Sequence, residues 1–368
     1  MTPADRTAIR RRLSIRGATR RPPARAGEPR AAGRSGHAPI LAPLAATVAA
    51  LGVGLGLVVA RSRRERDAEP EPTPRHGGLS LLPDEPPGEG LRRIALEQLD
   101  LAIELLEGYP GGAEERTVHE TRKAIKRLRG LLGLMRQELG PKRHARENAA
   151  LRDCARRLSG ARDSEVLLAT LDGLIARDPD ELSSSAAVAR LRAELLAERE
   201  AAAAATMHDE RLRREVIGDL HAIRARLREW EPRERDFLGA GLRRVYGQGR
   251  RRLAAARRAK RNEVEALHAW RRRVKDLRYA AETLDMRALA RRADRLGETL
   301  GEEHDLALLA GVLRERPGHF AGERATGRAL AKLISRRRRR LAHRALRDGK
   351  RLYRRPPGRF ERRLPHTR

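Results

Sequence analysis

Two stretches decide the fold: Val118-His-Glu-Thr-Arg-Lys-Ala-Ile-Lys-Arg-Leu-Arg129 and Leu267-His-Ala-Trp-Arg-Arg-Arg-Val-Lys-Asp-Leu-Arg278. His119, Arg122, Lys126 and Arg129 fall at offsets 0, 3, 7 and 10, and His268, Arg271, Lys275 and Arg278 repeat them 149 residues later. Those offsets share one face of an α-helix. An apolar series repeats beside them: Val118, Thr121, Ile125, Leu128, Leu132 and Met135 answer to Leu267, Trp270, Val274, Leu277, Ala281 and Leu284. Each helix therefore carries a packing seam next to a row of cations.

Working outward, the chain from Leu91 reads as helix almost throughout. The apolar period predicts helices over 91–107, 114–139, 142–158, 163–175, 186–230 (two helices meeting near Met207-His208-Asp209), 237–258, 262–285, 287–300, 305–314 and 323–346. Gly108 with Pro110, Gly140-Pro141 and Asp178-Pro179 supply the breaks. No stretch alternates with period two, and aromatic residues at 2% argue against a β-sandwich and against base-stacking RNA readers. The expected class is all-α. A second repeated element, Leu158-Ser-Gly-Ala-Arg-Asp163 against Leu300-Gly-Glu-Glu-His-Asp305, points to internal duplication; in each a helix is expected to end, turn and restart with the Asp at or near an N-cap. The duplicated halves predict a pseudo-twofold arrangement with the two stripe helices facing each other.

Ahead of this region lie a basic tail (residues 1–37), an uncharged apolar segment (38–60) and a Pro-rich linker (61–90). As a helix, residues 38–60 would extend about 34 Å, enough for a hydrocarbon core of roughly 30 Å. That segment is read as a membrane-spanning anchor, against the alternative of a low-complexity extension. The surrounding Arg residues are balanced, so orientation is not legible.

The formal charge of +31 is uneven. Residues 1–37 contribute +8 and residues 336–368 contribute +13, the latter counted as basic C-terminal sequence. Only seven of the 81 cations are Lys. Guanidinium groups grip phosphate with two parallel hydrogen bonds and stay charged at any working pH. Such sequence attracts polyanions, nucleic acid included, without specifying one.

The stripes admit two readings, a solvated face or a phosphate-binding groove. Repulsion at offsets of three and four costs a few tenths of a kcal/mol per pair, and Glu120 and Asp276 compensate it only sparsely. That a costly pattern occurs twice favours the groove. Arg162 and His304 take equivalent places before Asp163 and Asp305; Arg162 is a candidate further phosphate contact and His304 a weaker one. Cys154 has no cysteine partner and reads as a small core residue. There is no G-x-x-x-x-G-K-[ST], H-E-x-x-H or G-x-S-x-G motif. Glu69-Pro-Glu71 has a metal-like spacing but sits in the linker. A binding protein without enzymatic activity, cofactor or metal is therefore expected.

The two stripes, with LRDCARRLSGARDSEVLLATL and LGEEHDLALLAGVL, resemble the CHAD (conserved histidine α-helical) domain family over 91–352, with halves of about 91–230 and 231–352 and a basic tail at 353–368. The resemblance implies two four-helix bundles related by a pseudo-twofold axis, with a basic surface or pore that binds inorganic polyphosphate. Carried over by motif, the binding residues are His119, Arg122, Lys123, Lys126, Arg127 and Arg129, with His268, Arg271, Arg272, Lys275 and Arg278. The E-x-E-x-K strand of the triphosphatase domain found in some members is missing here, which removes the main reason to expect hydrolysis. Cytoplasmic residence, with polyphosphate granules or with the inner membrane through 38–60, is the expected location. The sequence discloses no oligomeric state.

Overall fold

Burial of the two seams organises a helical chain whose computed structural model describes residues 79–108, 114–207, 209–232, 237–259 and 263–361. Among these there is no strand. The basic tail 1–37 and the apolar segment 38–60 lie outside the described residues. No described helix is long and apolar enough to cross a membrane.

The helices are α1 (Pro87–Glu107), α2 (Glu114–Leu134), α3 (Arg136–Arg157), α4 (Gly160–Ile175), α5 (Pro179–Leu182), α6 (Ala186–Met207), α7 (Glu210–Arg228), α8 (Leu238–Arg258), α9 (Glu263–Thr283), α10 (Arg287–Glu315), α11 (Arg324–Leu352) and α12 (Pro357–Glu361). Pro87 begins α1 where its missing N–H costs nothing. The long 186–230 segment divides as the sequence indicates, and the Asp209 carboxylate caps α7 by accepting from the Leu212 N–H at 2.9 Å.

Three boundaries differ from expectation. The first stripe helix stops at Leu134 rather than Leu139. Met135 turns the chain, and the break at Gly140-Pro141 falls inside α3, where Gly140 takes φ 73°, ψ 160°. Such a positive φ favours glycine, and the following proline disfavours helical backbone at the residue before it. Second, Leu300-Gly-Glu-Glu-His-Asp305 contains no turn. α10 runs through it, so Asp305 lies mid-helix and caps nothing. Gly301 is tolerated there because it is buried beneath Arg271; a side chain at that position would meet Nη2 of Arg271 at 3.3 Å. Third, the first half does break at Ser159, yet Asp163 sits in the first turn of α4 and not at the cap.

Two apolar clusters form the core. One gathers seam residues of α2 and α9 with α1, α3, α7, α8 and parts of α10 and α11. The other joins Leu168, Leu171 and Leu174 of α4 and Val188, Leu191 and Leu195 of α6 to Leu306 and Leu309 of α10 and Leu330 and Ile334 of α11. Neither cluster is confined to one sequence half, so the halves interlock.

The ends of the domain also reach further than the sequence suggests. Leu79 and Leu81, assigned to the linker, pack on the core, and the Leu81 N–H donates to the Thr283 carbonyl at 3.1 Å. The charged stretch from 336 is no tail, because α11 continues to Leu352 with Leu341, Ala342 and Ala345 buried. Residues 353–361 belong to the fold as well. Tyr353 and Phe360 are buried against Tyr246, with ring centroids 5.1 and 3.9 Å away. The Tyr246 hydroxyl lies 3.2 and 3.1 Å from the Leu352 and Arg355 carbonyls. Tyr353→Ala is therefore expected to cost about 3–5 kcal/mol. A chemical denaturation midpoint equal to that of the parent would instead mark residues 353–361 as dispensable.

Candidate phosphate-binding site

Every seam residue from Val118 to Met135 is buried, and so are Leu267, Trp270, Val274, Leu277 and Ala281. The cations beside them are held at the edge of the core. Arg122, Lys123, Lys126 and Arg129 on α2 and His268, Arg271, Lys275 and Arg278 on α9 are half-buried. Arg127 is buried, whereas His119 and Arg272 are exposed. Long side chains placed this way bury their stems and keep the charged head at the surface.

The two stripe helices pack on each other. Contact is close at Gly130, where a side chain would meet Cβ of Tyr279 at 2.9 Å. Arg129, Arg272, Arg273 and Asp276 converge beside it. Burial lowers the pKa of Arg129; Asp276 opposes that effect, and Arg273, Arg152 and Arg272 add repulsion. Burial likewise raises the Asp276 carboxyl against the pull of Arg273, Arg129 and Arg272, and Arg273 pairs with it at 2.9 Å.

The four stripe positions are not equivalent. At the last position, Arg129 donates to the Asn148 side chain at 3.0 Å. Arg278, its counterpart, is held by Glu282 at 2.6 Å and by Asp294. Burial works against the charge of Arg278, yet these carboxylates raise its pKa overall. Arg278 is therefore engaged internally, whereas Arg129 meets a neutral amide at Asn148 and shares the Asp276 carboxylate with Arg273. At the second position, Arg122 donates to the Ala155 carbonyl near the end of α3, where a cation suits the helix dipole. Arg271 lies over Gly301, and Lys275 lies beside Gly297, where an added side chain would come within 3.9 Å.

The first position holds the main asymmetry. His119 approaches Glu120 at 3.9 Å, and Glu120 also takes Lys123 at 3.4 Å. His268 instead stacks on His304 of α10, with ring centroids 4.2 Å apart and planes tilted by 37°. Both Nδ1 atoms are buried without a hydrogen-bond partner among the described residues. Burial lowers the pKa of His268, and Arg272 and Arg271 reinforce the shift. Burial, then His268, Arg271 and Arg338, push His304 down to about 4. Two neutral imidazoles thus sit among guanidinium groups, ready to accept protons when an anion arrives.

These elements have a known counterpart. The sequence profile of the CHAD domain matches residues 93–314. The chain belongs to the CHAD family. The crystal structure of the CHAD domain from the plant Ricinus communis aligns with a TM-score of 0.53 at 21% identity, covering 75% of this chain and 92% of that one. At that identity the likeness shows the fold. No curated protein matches the chain in sequence.

Within this CHAD domain, α2 and α9 pack together and Arg129 lies beside Arg272 and Arg273, while Arg122 faces α3 and His268 and Arg271 face α10; Arg278 is the member spent on internal carboxylates. The side chain of Arg162 lies outside the described residues. Two contributors were under-read. His304 ranks beside His268, a pairing that its LGEEHD context only hinted at. Arg338 of α11 approaches the same imidazole and grips the buried Glu303 with two hydrogen bonds at 2.9 and 2.7 Å. It was hidden in a run of five arginines. Cys154 is buried, and burial raises its pKa, which makes it a poor nucleophile. No cluster of metal-ligating side chains occurs among the described residues.

The histidines set a pH dependence. His144 is also held at about 4, by burial and then by Arg136 and Arg244. An unfolded histidine titrates near 6.5. Below that value the unfolded chain binds more protons, so stability must fall as pH drops from about 6.5 to about 4. Thermal melts of His304→Gln should show a shallower fall than the parent; parallel curves would contradict the neutral assignment.

Proposed function

We propose that this CHAD domain binds inorganic polyphosphate without turning it over. The observation that carries the reading is the meeting of two in-register cation stripes, on α2 and α9, at the boundary of a common core. A linear polyanion pairs with such a row through repeated charge-assisted hydrogen bonds. Binding a flexible chain releases counterions, so log K should fall by about 0.7 per decade of salt for each phosphate neutralised. Arg122, Lys126, Arg129, Arg271, Arg272 and Lys275 are assigned as the principal contacts. His119, Lys123, Arg127, His268 and His304 support them, and Arg278 holds the groove in shape.

Charge reversal of Arg122, Lys126, Arg271 and Lys275 together should weaken polyphosphate binding at least about 100-fold and flatten the salt slope by about three. The milder pair Lys126→Gln and Lys275→Gln should weaken it in the same direction. Circular dichroism checks that helicity is kept. Unchanged affinity in a folded variant sinks the reading. Incubation with polyphosphate and a divalent metal should release no orthophosphate and leave chain length unaltered; shortening of the polymer would make the protein an enzyme.

Proton linkage gives an independent check. Bound phosphate raises the pKa of neighbouring histidines, so the complex holds more protons than the free protein. Affinity should therefore rise as pH falls from 7 toward 5. His304→Gln should reduce that gain, and a pH-independent titration of the parent would argue against imidazole contact.

A further inference from the structure

α11 carries a second basic face that the stripes leave unused. Arg336, Arg340, His343 and Arg347 fall at offsets 0, 4, 7 and 11, flanked by Arg339 and Arg344. All six are exposed, and together they line an open groove of 500 Å³. The opposite face of the same helix fixes it in place through buried Leu341, Ala342 and Ala345 and through Arg338 on Glu303. The backbone that carries the array is therefore fixed.

Compensation is sparse. Asp348 lies 3.8 Å from Arg344 and 3.9 Å from Arg351, and Arg339 donates to Ser335 at 2.8 Å. Arg336, Arg340, His343 and Arg347 have no ion pair or hydrogen bond among the described residues. Like charges three and four residues apart destabilise a helix slightly, and a bound polyanion would relieve that repulsion along the row.

Shape and composition narrow the anion. The face holds no Phe, Tyr or Trp, and the His343 imidazole alone makes no continuous stacking platform for single strands. It holds no large apolar side chain either; Leu82 and Leu308 are the exposed large hydrophobics among the described residues, and neither lies on α11. That disfavours insertion into a bilayer surface. Arg339 and Arg344 flank the central row over about 140° of circumference, along about 16 Å from Arg336 to Arg347. A nucleic-acid duplex presents phosphates of two strands across a face of that width, at about one charge per 1.7 Å of axis. A thin polyphosphate thread meets only one side at a time.

We propose that this outer face of α11 docks a nucleic-acid duplex through its phosphates, separately from the stripe site. The contact is electrostatic and sequence-independent, and it stands or falls without reference to polyphosphate binding at the stripes.

The test uses the full chain and a mixed-sequence DNA duplex of about 20 base pairs, titrated across a salt series. Arg336→Glu, Arg340→Glu and Arg347→Glu together should lower duplex affinity about tenfold or more and reduce the salt slope by about three. Binding of inorganic polyphosphate should change less than about twofold, because these contacts lie outside the stripes. The corresponding Lys triple variant should keep the parental slope. The positions are exposed and the substitutions relieve repulsion along α11, so thermal melts should lie at or slightly above the parent. Unchanged duplex affinity in the charge-reversed protein overturns the proposal. So does a parallel loss of polyphosphate binding, which would make this face part of the stripe site. Binding to phosphatidylserine vesicles without binding to the duplex would also overturn it and assign the face to a membrane.

Discussion

Everything in this domain depends on two like-charged helices being held against each other. Cations on α2 and α9 repel along each helix and across the contact. The opposing force is burial of the seams. Repulsion between neighbouring exposed cations amounts to a few tenths of a kcal/mol per pair, whereas each buried Leu, Ile or Val side chain contributes roughly 1.5–3 kcal/mol. With Val118, Ile125, Leu128 and Leu132 buried on one helix and Leu267, Trp270, Val274 and Leu277 on the other, packing wins. The small volume of Gly130 under Tyr279 brings the backbones close. Charge is thus concentrated by apolar packing and left at the rim, where an anion can reach it.

The structure then tunes that charge along the stripe. At one end the charge of Arg278 is spent on Glu282 and Asp294, whereas Arg129 meets the neutral Asn148 amide. Beside them Asp276 sits among Arg273, Arg129 and Arg272 and offsets part of their mutual repulsion. At the other end the second half stacks two neutral imidazoles, and the first half exposes His119. A protein that kept every stripe position fully charged and unpaired would carry the whole repulsion in the empty state. Neutral histidines avoid part of it and can add charge when phosphate is present. Duplication supplied two equal stripes, and the partners drawn from α3 and α10 have made them unequal.

Much of this was legible in sequence because it is local. Helix periodicity, the seams, the cation offsets and the Met207–Asp209 junction all depend on residues within a few turns. What failed depends on contacts between distant segments. Asp305 resembled a cap because Gly301 resembled a helix end; in the fold Gly301 is buried under Arg271, thirty residues earlier, and α10 runs through it with Leu300 and Leu306 buried on either side. Residues 353–361 resembled a tail because Tyr353 and Phe360 have no neighbours in sequence to pack on, and their partner Tyr246 is more than a hundred residues away. His304 and Arg338 joined the site for the same reason. The stripe residues themselves needed no such help, since the offsets that put them on one face are a property of the helix alone.

The same distinction changes what the net charge means. Residues 336–352 carry nine cations against Asp348, a net +8 that by composition alone attracts any anion. Folded into α11, this charge is divided by the helix into two populations. Arg337 and Arg338 turn inward and are matched by Glu302 and Glu303. Arg336, Arg340 and Arg347 turn outward and are matched by nothing described. One helix therefore closes the second core, approaches the histidine pair and presents a separate basic ridge. Because Glu302 and Glu303 hold its inner side in register, the backbone beneath the outer row stays in one arrangement, which is the arrangement the proposed duplex contact would use.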